Sequence, residues 1–210
     1  MTAAGAFPRG DSDIELLERL LALQGATESS RSTAEKIIEI TGCLSGAIAC
    51  SSSRLRKFGA TDREVETLRL VEKAIATALV RKIDDRPLLD NFEKVLDLCH
   101  ATLAHKAIEE FWVFFLNNRN RLISLEMMWT GTVNQAAAYP REVMARALDL
   151  YASAMVLVHN HPSGEPAPSR DDIQMTRQIV DAGKVLGITV HDHIVVGRSG
   201  SASMHSLGLM

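Results

Sequence analysis

The sequence predicts an α/β domain with a mixed β-sheet and flanking helices, preceded by a small helical module. Three observations carry this. Before Arg81 the chain holds several short amphipathic stretches bounded by capping pairs and glycines. From Asn91 onward, helical periodicity alternates with short unbroken apolar runs. Between the two lies RKIDDRPLLD, residues 81–90, which is charged, contains Pro87 and has no periodicity, so the boundary is placed there. The expected division is a helical module over 1–87 and an α/β domain over 88–210.

The helical module is justified element by element. Ser12 with Glu15 is a capping-box pair ahead of Ile14, Leu16, Leu17, Leu20 and Leu21. Ser32 with Glu35 repeats the signal before Ile37, Ile38 and Ile40, and Gly42 is the stop. A short helix is expected over Ser53–Phe58, ended by Gly59. Thr61 with Glu64 opens the clearest stripe, Val65, Leu68, Val71, Ile75 and Leu79.

In the second half, Asn91 to Lys106 reads as a helix and Phe111 to Leu116 as a strand covered on both faces. Asn117–Asn120 are turn residues, and Leu122 to Trp129 completes a hairpin that Gly131 and Thr132 end. Pro140 suits the first position of a helix running through Tyr151. Ala154 to Val158 is a buried strand, and a loop rich in Pro, Ser and Gly follows from Asn160 to Pro168. Ser169 caps a helix through Ile173, Ile179 and Val185, and Ile188 to Val196 is a strand. There is no internal repeat and no low-complexity segment.

Composition excludes several classes. With 210 residues, 46% apolar and 23% charged, the balance is globular rather than disordered or fibrous. The longest apolar runs fall far short of the about 20 residues that span a bilayer. Met1 to Phe7 lacks a basic stretch and an apolar core of the secretory kind, so a cytoplasmic protein with no membrane partner is expected. Net charge is −3, and residues 1–87 carry equal numbers of acidic and basic side chains, so neither half has the electrostatic footprint of a DNA-binding surface. The one dense basic spot, Arg54, Arg56 and Lys57, reads as a solvated helix face. Three cysteines without C-x-x-C spacing argue against a disulfide framework and a thiolate zinc site, and read as small buried residues.

The chemistry follows the buried strand, in VLVHNHPSGEPAPSRDDIQMT. His159 and His161 are two apart at the strand end, so both imidazoles point to one face. Asp172 lies in the first turn of the next helix, within reach across the loop. Two neutral imidazoles and a carboxylate suit Zn²⁺ with a fourth position left to water. Nitrogen and oxygen ligands also admit Mn²⁺, Fe²⁺ or Ni²⁺. Zinc lowers the pKa of bound water to about 7. The same letters have plainer readings. H-x-H alone is common, and Ser169 to Asp172 is also a capping box. A second pair, His191 and His193, sits mid-strand and reads as alternating core contacts with a hydrogen-bonding edge.

Other H-x-H hydrolases fit poorly. A (β/α)8 hydrolase needs most of a barrel after the motif, and too few residues follow His161. Pro162 and Ser163 break the metallo-β-lactamase pattern, and the deaminase pattern needs a downstream C-x-x-C that is absent. An HNH nuclease spreads its three residues through a ββα unit.

H-x-H, seven residues, Ser, two residues, Asp resembles the JAMM (JAB/MPN) metalloprotease motif, met by His159, His161, Ser169 and Asp172. The longer HNHPSG with its PxPS resembles the bacterial RadC branch, as do GTVN at 131–134, YPREV at 139–143 and DHIVVG at 192–197. The resemblance implies a cytidine-deaminase-like fold and one Zn²⁺ per chain, held by His159, His161 and Asp172. It also implies that Ser169 steadies an oxyanion and that a glutamate near the first strand serves as general base. Glu110 is the best match, Glu109 is its neighbour, and Glu126 is the second choice. The implied activity is hydrolysis of a peptide or isopeptide bond in an unnamed substrate. The alternative it implies is a non-catalytic accessory to DNA repair or recombination, with zinc as a structural element. Two departures are visible. A helix-hairpin-helix would carry Gly-x-Gly, whereas Gly59 is followed at the second position by Thr61, which reads better as a helix cap. The tail SGSASMHSLGLM lacks the aromatic residue that the family's last strand is expected to carry.

Overall fold

The computed structural model describes residues 11–23, 28–84, 87–88, 92–131 and 140–210. The expectations for Asn91, for residues 132–134 of GTVN and for Tyr139 lie outside them. The chain forms two compact units, Met1–Glu72 and Lys73–Met210, and the division falls inside a long helix upstream of the charged segment at 81–90. Among the described residues, no helix is long and apolar enough to cross a membrane.

The first unit is helical, as its stripes predict. α1 (Asp13–Ala22) starts from the Ser12–Glu15 capping box. α2 (Glu28–Thr41) begins a turn earlier than the Ser32 signal predicts. Glu35 is instead paired with Arg31 on the helix surface at 3.1 Å, so the S-x-x-E spacing there serves an ordinary i, i+4 pair. Gly42 ends the helix with φ 83°. α3 (Leu44–Ala49), too short to leave a periodic signal, is an addition to the sequence reading. Its C-terminal carbonyls at Ile48 and Cys50 accept hydrogen bonds from the Arg69 guanidinium at 2.6 and 2.8 Å. α4 (Ser52–Lys57) leads through Gly59 into α5 (Asp62–Asp84). Thr61 caps α5: its hydroxyl accepts from the Glu64 amide, and the Glu64 carboxylate accepts from the Thr61 amide at 2.7 Å. Leu17, Leu21, Ile37, Leu55 and Leu68 fill the core of this unit.

The second unit is a five-stranded mixed sheet in the order β2-β1-β3-β4-β5. β1 (Glu109–Leu116) pairs antiparallel with β2 (Leu122–Gly131) and with β3 (Ala154–Asn160). β3 pairs in parallel with β4 (Thr189–Gly197), and β4 pairs antiparallel with β5 (Gly200–Ser203). α6 (Phe92–Leu103) covers one face. α7 (Pro140–Asp149) and α8 (Arg170–Leu186) lie on the other, with α8 making the crossover that a parallel pair requires. β3 is buried at every position, as its unbroken apolar run predicts.

The pleat sorts the core. Phe114, Leu116, Val156, Val158 and Ile194 pack toward α6, whereas Phe111, Val113, Phe115, Met155 and Leu157 pack toward α7 and α8. β1 starts at Glu109, two residues before the expected Phe111, so both glutamates obey this alternation. β5, four residues long, is a further addition, and fully buried Met204 follows it. Asp192 anchors this tail: its buried carboxylate accepts from the Ser203 hydroxyl at 2.6 Å and the His205 amide at 3.0 Å. Cys99 is buried as expected, which pushes its thiol up to about 12. Cys43 is half-buried, and its sulfur accepts the Gly46 amide at the start of α3.

Leu157 is fully buried at the centre of the sheet. Leu157→Ala is expected to destabilise the protein by about 2–5 kcal/mol through lost burial and a residual cavity. Urea unfolding should show a lower midpoint with an unchanged slope.

Candidate metal centre

The site forms at the carboxyl ends of the parallel pair β3 and β4, where open α/β sheets characteristically place their ligands. Alternation sends His159 and His161 to the α8 face, and Asp172 meets them from the first turn of α8. The three side chains place one ligand atom each within 4.8 Å of one another. His159 Nε2 is 3.0 Å from His161 Nε2. The Asp172 oxygens are 3.4 Å from His159 Nε2 (Oδ1) and 3.4 Å from His161 Nε2 (Oδ2).

These residues fit a divalent metal. Metal–nitrogen bonds of about 2.0–2.1 Å in tetrahedral array place neighbouring ligand atoms about 3.3 Å apart. The separations of 3.0 and 3.4 Å lie near that edge, with the two imidazoles meeting different oxygens of Asp172. The tautomer of His161 is set from behind: its Nδ1 lies 2.9 Å from the Glu165 carbonyl, which only accepts. Nδ1 therefore carries the proton, and Nε2 turns a lone pair toward the cluster. Acceptors converging in this way favour a positive species between them.

Electrostatics agree. Burial alone would raise the Asp172 carboxyl, but the neighbouring imidazoles of His159 and His161 and the Ser169 hydroxyl hold it well below the usual carboxylate range. The Asp172 carboxylate raises His161 in turn, against the opposing effect of burial, and the Glu109 charge adds to the rise. Behind His159, its Nδ1 is 2.8 Å from Nε2 of fully buried His193. Burial lowers His193 well below the ordinary imidazole range, so it stands neutral.

The ligand loop is pinned to the β4–β5 turn. The His161 amide donates to the Val196 carbonyl at 2.9 Å, extending the parallel ladder past the end of β3. Arg198 donates to the Pro162 and Ser163 carbonyls at 3.1 and 2.7 Å. A Cβ on Gly197 would meet the Gly164 carbonyl oxygen at 2.2 Å, so only glycine allows this approach.

The sequence-predicted residues fall into two groups. His159, His161, Ser169 and Asp172 come together. The capping and ligand readings of Ser169 and Asp172 hold at once: Asp172 Oδ2 accepts from the Ser169 amide at 2.7 Å and hydroxyl at 2.6 Å while facing His161. Glu110 is not brought to the cluster. Because it lies inside β1, it shares a face with Trp112, accepts that indole N–H at 3.0 Å and sits 3.7 Å from the Lys106 ammonium. Glu109 takes the opposite face. It lines a cavity of about 530 Å³ with Ala107, Ile108, Gly131, His161, Pro162 and Ser163. Glu126 is held by Arg146 of α7 through hydrogen bonds of 2.7 and 2.8 Å, which lower its carboxyl.

Two supporting side chains were not singled out by sequence. Asn160, between the two histidines, points to the other face. It accepts the Glu110 amide at 2.8 Å and donates to the Ile108 carbonyl at 3.2 Å, fixing the start of β1 beside the site. Alternation within H-N-H was the available signal. Thr176 joins His193 to the backbone of α8 at 2.6 Å on each side, and its position one turn after Asp172 was the only hint. In the second histidine pair, His191 bonds to Asn120 at 2.9 Å and His193 backs His159.

The sequence model of the RadC-like JAB domain matches residues 89–209. A UPF0758 protein of Rhodobacter capsulatus is 39% identical over 199 residues, covering 94% of this chain and 93% of that one.

A metal ion and a proton compete for His161. The raised pKa means that the proton stabilises the metal-free fold below the ordinary value, and that this contribution is lost as pH rises through the raised one. Metal affinity is therefore expected to fall by up to about tenfold per pH unit below the raised pKa, with about one proton released per ion. Calorimetric zinc titrations in buffers of different protonation enthalpy measure both quantities, and an affinity flat across the mildly acidic range would contradict the assignment. His161→Ala should abolish stoichiometric zinc in the same assay.

Proposed function

The chain belongs to the RadC-like JAB domain family, and from that premise we propose that it is a zinc-dependent hydrolase of peptide or isopeptide bonds. The observation that carries the reading is the position of Glu109, on the cavity wall beside His161 and next to the complete His-His-Asp group. A ligand set alone serves structure as well as chemistry. A carboxylate that shares a cavity with it adds a base.

Zinc bound there would polarise a scissile carbonyl and make water a better nucleophile at neutral pH. The chain's own residues do the rest. His159, His161 and Asp172 hold the ion, and Asp172 is ionised and fixed by the cap at Ser169. Glu109 takes a proton from the attacking water and returns it to the departing amine nitrogen as the carbon–nitrogen bond breaks. Its β2 partner, Gly131, has no side chain of its own, and the Trp129 ring lies over that position. The oxyanion role implied for Ser169 would require its hydroxyl to leave Asp172 Oδ2. In the structure it acts as a positioning group for a ligand.

The cavity wall offers apolar surface from Ala107, Ile108 and Pro162, which suits an uncharged stretch of peptide chain. In the helical unit, Arg56 is paired with Asp62 at 2.7 Å and Thr61 is used as a cap. The reading therefore rests on the α/β unit.

Glu109→Gln is expected to retain about one zinc per chain and to lose about 10²–10⁴-fold in cleavage rate. Glu110→Gln, on the opposite face, should leave the rate near that of the wild type. Digestion of a broad peptide library read by mass spectrometry tests both. No cleavage by zinc-loaded wild-type protein, or full activity in Glu109→Gln, would sink the proposal.

A further inference from the structure

The metal cluster leaves unexplained a polar chain buried behind it. His193 is fully buried, as is Thr176, and neither touches the cavity. Burying an imidazole is costly unless its nitrogens are hydrogen-bonded, and both nitrogens of His193 are. Here the hydrogen atoms can be placed from chemistry alone.

The chain starts at the backbone. The Thr176 hydroxyl oxygen lies 2.6 Å from the Asp172 carbonyl oxygen, and a carbonyl only accepts, so the single hydroxyl proton points there. The Met204 sulfur, at 3.6 Å, is the weaker acceptor for the same proton. The Thr176 oxygen is left with lone pairs, and His193 Nδ1 lies 2.6 Å from it, so that nitrogen carries a proton. Neutral His193 then offers a lone pair at Nε2, which lies 2.8 Å from His159 Nδ1. His159 must donate across that contact. Its Nδ1 is protonated, so in the neutral imidazole that metal ligation requires its Nε2, facing His161 and Asp172, is bare.

We propose that Thr176 and His193 form a tautomer lock, a pair of positioning residues whose hydrogen-bond polarity, set by the α8 backbone, keeps His159 Nε2 unprotonated toward the metal site. The lock rests on the metal-binding half of the reading above and is independent of hydrolysis. His159 and His161 thus reach one state by different routes. His161 is set directly by the Glu165 carbonyl at the surface. His159, buried and without a nearby backbone acceptor for Nδ1 among its hydrogen bonds, is set by relay through a second imidazole. The relay also ties ligand to ligand, because the carbonyl that orients Thr176 belongs to Asp172. An outer partner that orients a ligating histidine is worth about 10–100-fold in metal affinity.

The test uses the full chain with zinc alone as probe. Long-range proton–nitrogen NMR of the metal-free protein reads each imidazole tautomer, and both His159 and His193 are expected to carry their proton on Nδ1. A zinc-chelator competition then compares variants. His193→Leu should weaken zinc binding by about 10–100-fold. His193→Gln, whose amide oxygen can accept from His159 and whose NH₂ can donate to Thr176, should recover most of that loss. Thr176→Val, close in shape and lacking the hydroxyl, should weaken binding while leaving the circular dichroism spectrum unchanged. A proton found on His159 Nε2 overturns the proposal, as does wild-type zinc affinity in a folded His193→Leu protein or an equal loss in the Leu and Gln variants. If His193→Leu does not fold, the wild-type tautomers and the Gln and Val variants decide the matter. Because no arm measures cleavage, an inactive protein with the expected tautomers and affinities would refute the hydrolase reading and leave the lock standing.

Discussion

Side-chain alternation along β1 and β3 is the constraint on which the site depends. Each strand is buried or half-buried on both faces, so neither can slip by one residue without turning its apolar set toward the wrong layer. Leu157 and Met155 must face α7 and α8, and the pleat then carries His159 to that side. Phe111, opposite His159, must face the same way, and its ring packs edge-on against His193 at 5.6 Å. The step from Phe111 back to Glu109 keeps the face, whereas the step to Glu110 changes it. Core packing thus selects which of two adjacent carboxylates lines the cavity with His161.

The local chemistry economises on polar groups that burial would otherwise penalise. Asp172 is ionised and largely buried, a combination that requires several donors or a cation. The N-terminus of α8 supplies the donors through Ser169, and the favourable end of the helix macrodipole adds to them. One capping box therefore starts the helix and fixes the carboxylate of the candidate metal group. Asn160 makes a similar double contribution, since its amide completes the β1 ladder where the backbone partner runs out and holds Glu109 at the cavity edge.

The loop between His161 and Ser169 has its two ends held by regular structure and its first residues, Pro162 and Ser163, held by Arg198. Close approach of Gly164 to Gly197 lets the loop lie against the β4–β5 turn. This packing holds the Glu165 carbonyl behind His161, so a turn distant in sequence contributes to the tautomer of a half-buried imidazole. Rigidity at the site comes from these backbone contacts more than from ion pairing.

Much of this was legible in the residues alone. Periodicity located α1, α5 and α8 and the buried strand β3, because amphipathic stripes and unbroken apolar runs are local signals. The spacing from His159 to Asp172 marked the metal group, since strand-end geometry and a helix cap are also local. Other features depended on partners remote in sequence. α3 is capped by Arg69, and β5 is four residues paired to β4. That Glu109 rather than Glu110 lines the cavity needed the true start of β1, which Asn160 defines from fifty residues away. The polarity behind His159 needed Thr176 and His193 in contact. The sequence by itself determined which chemistry was present and on which elements. The tertiary structure alone decided which face each carboxylate occupies and which group stands behind each histidine, because those depend on strand register and on hydrogen bonds between segments that meet only in the fold.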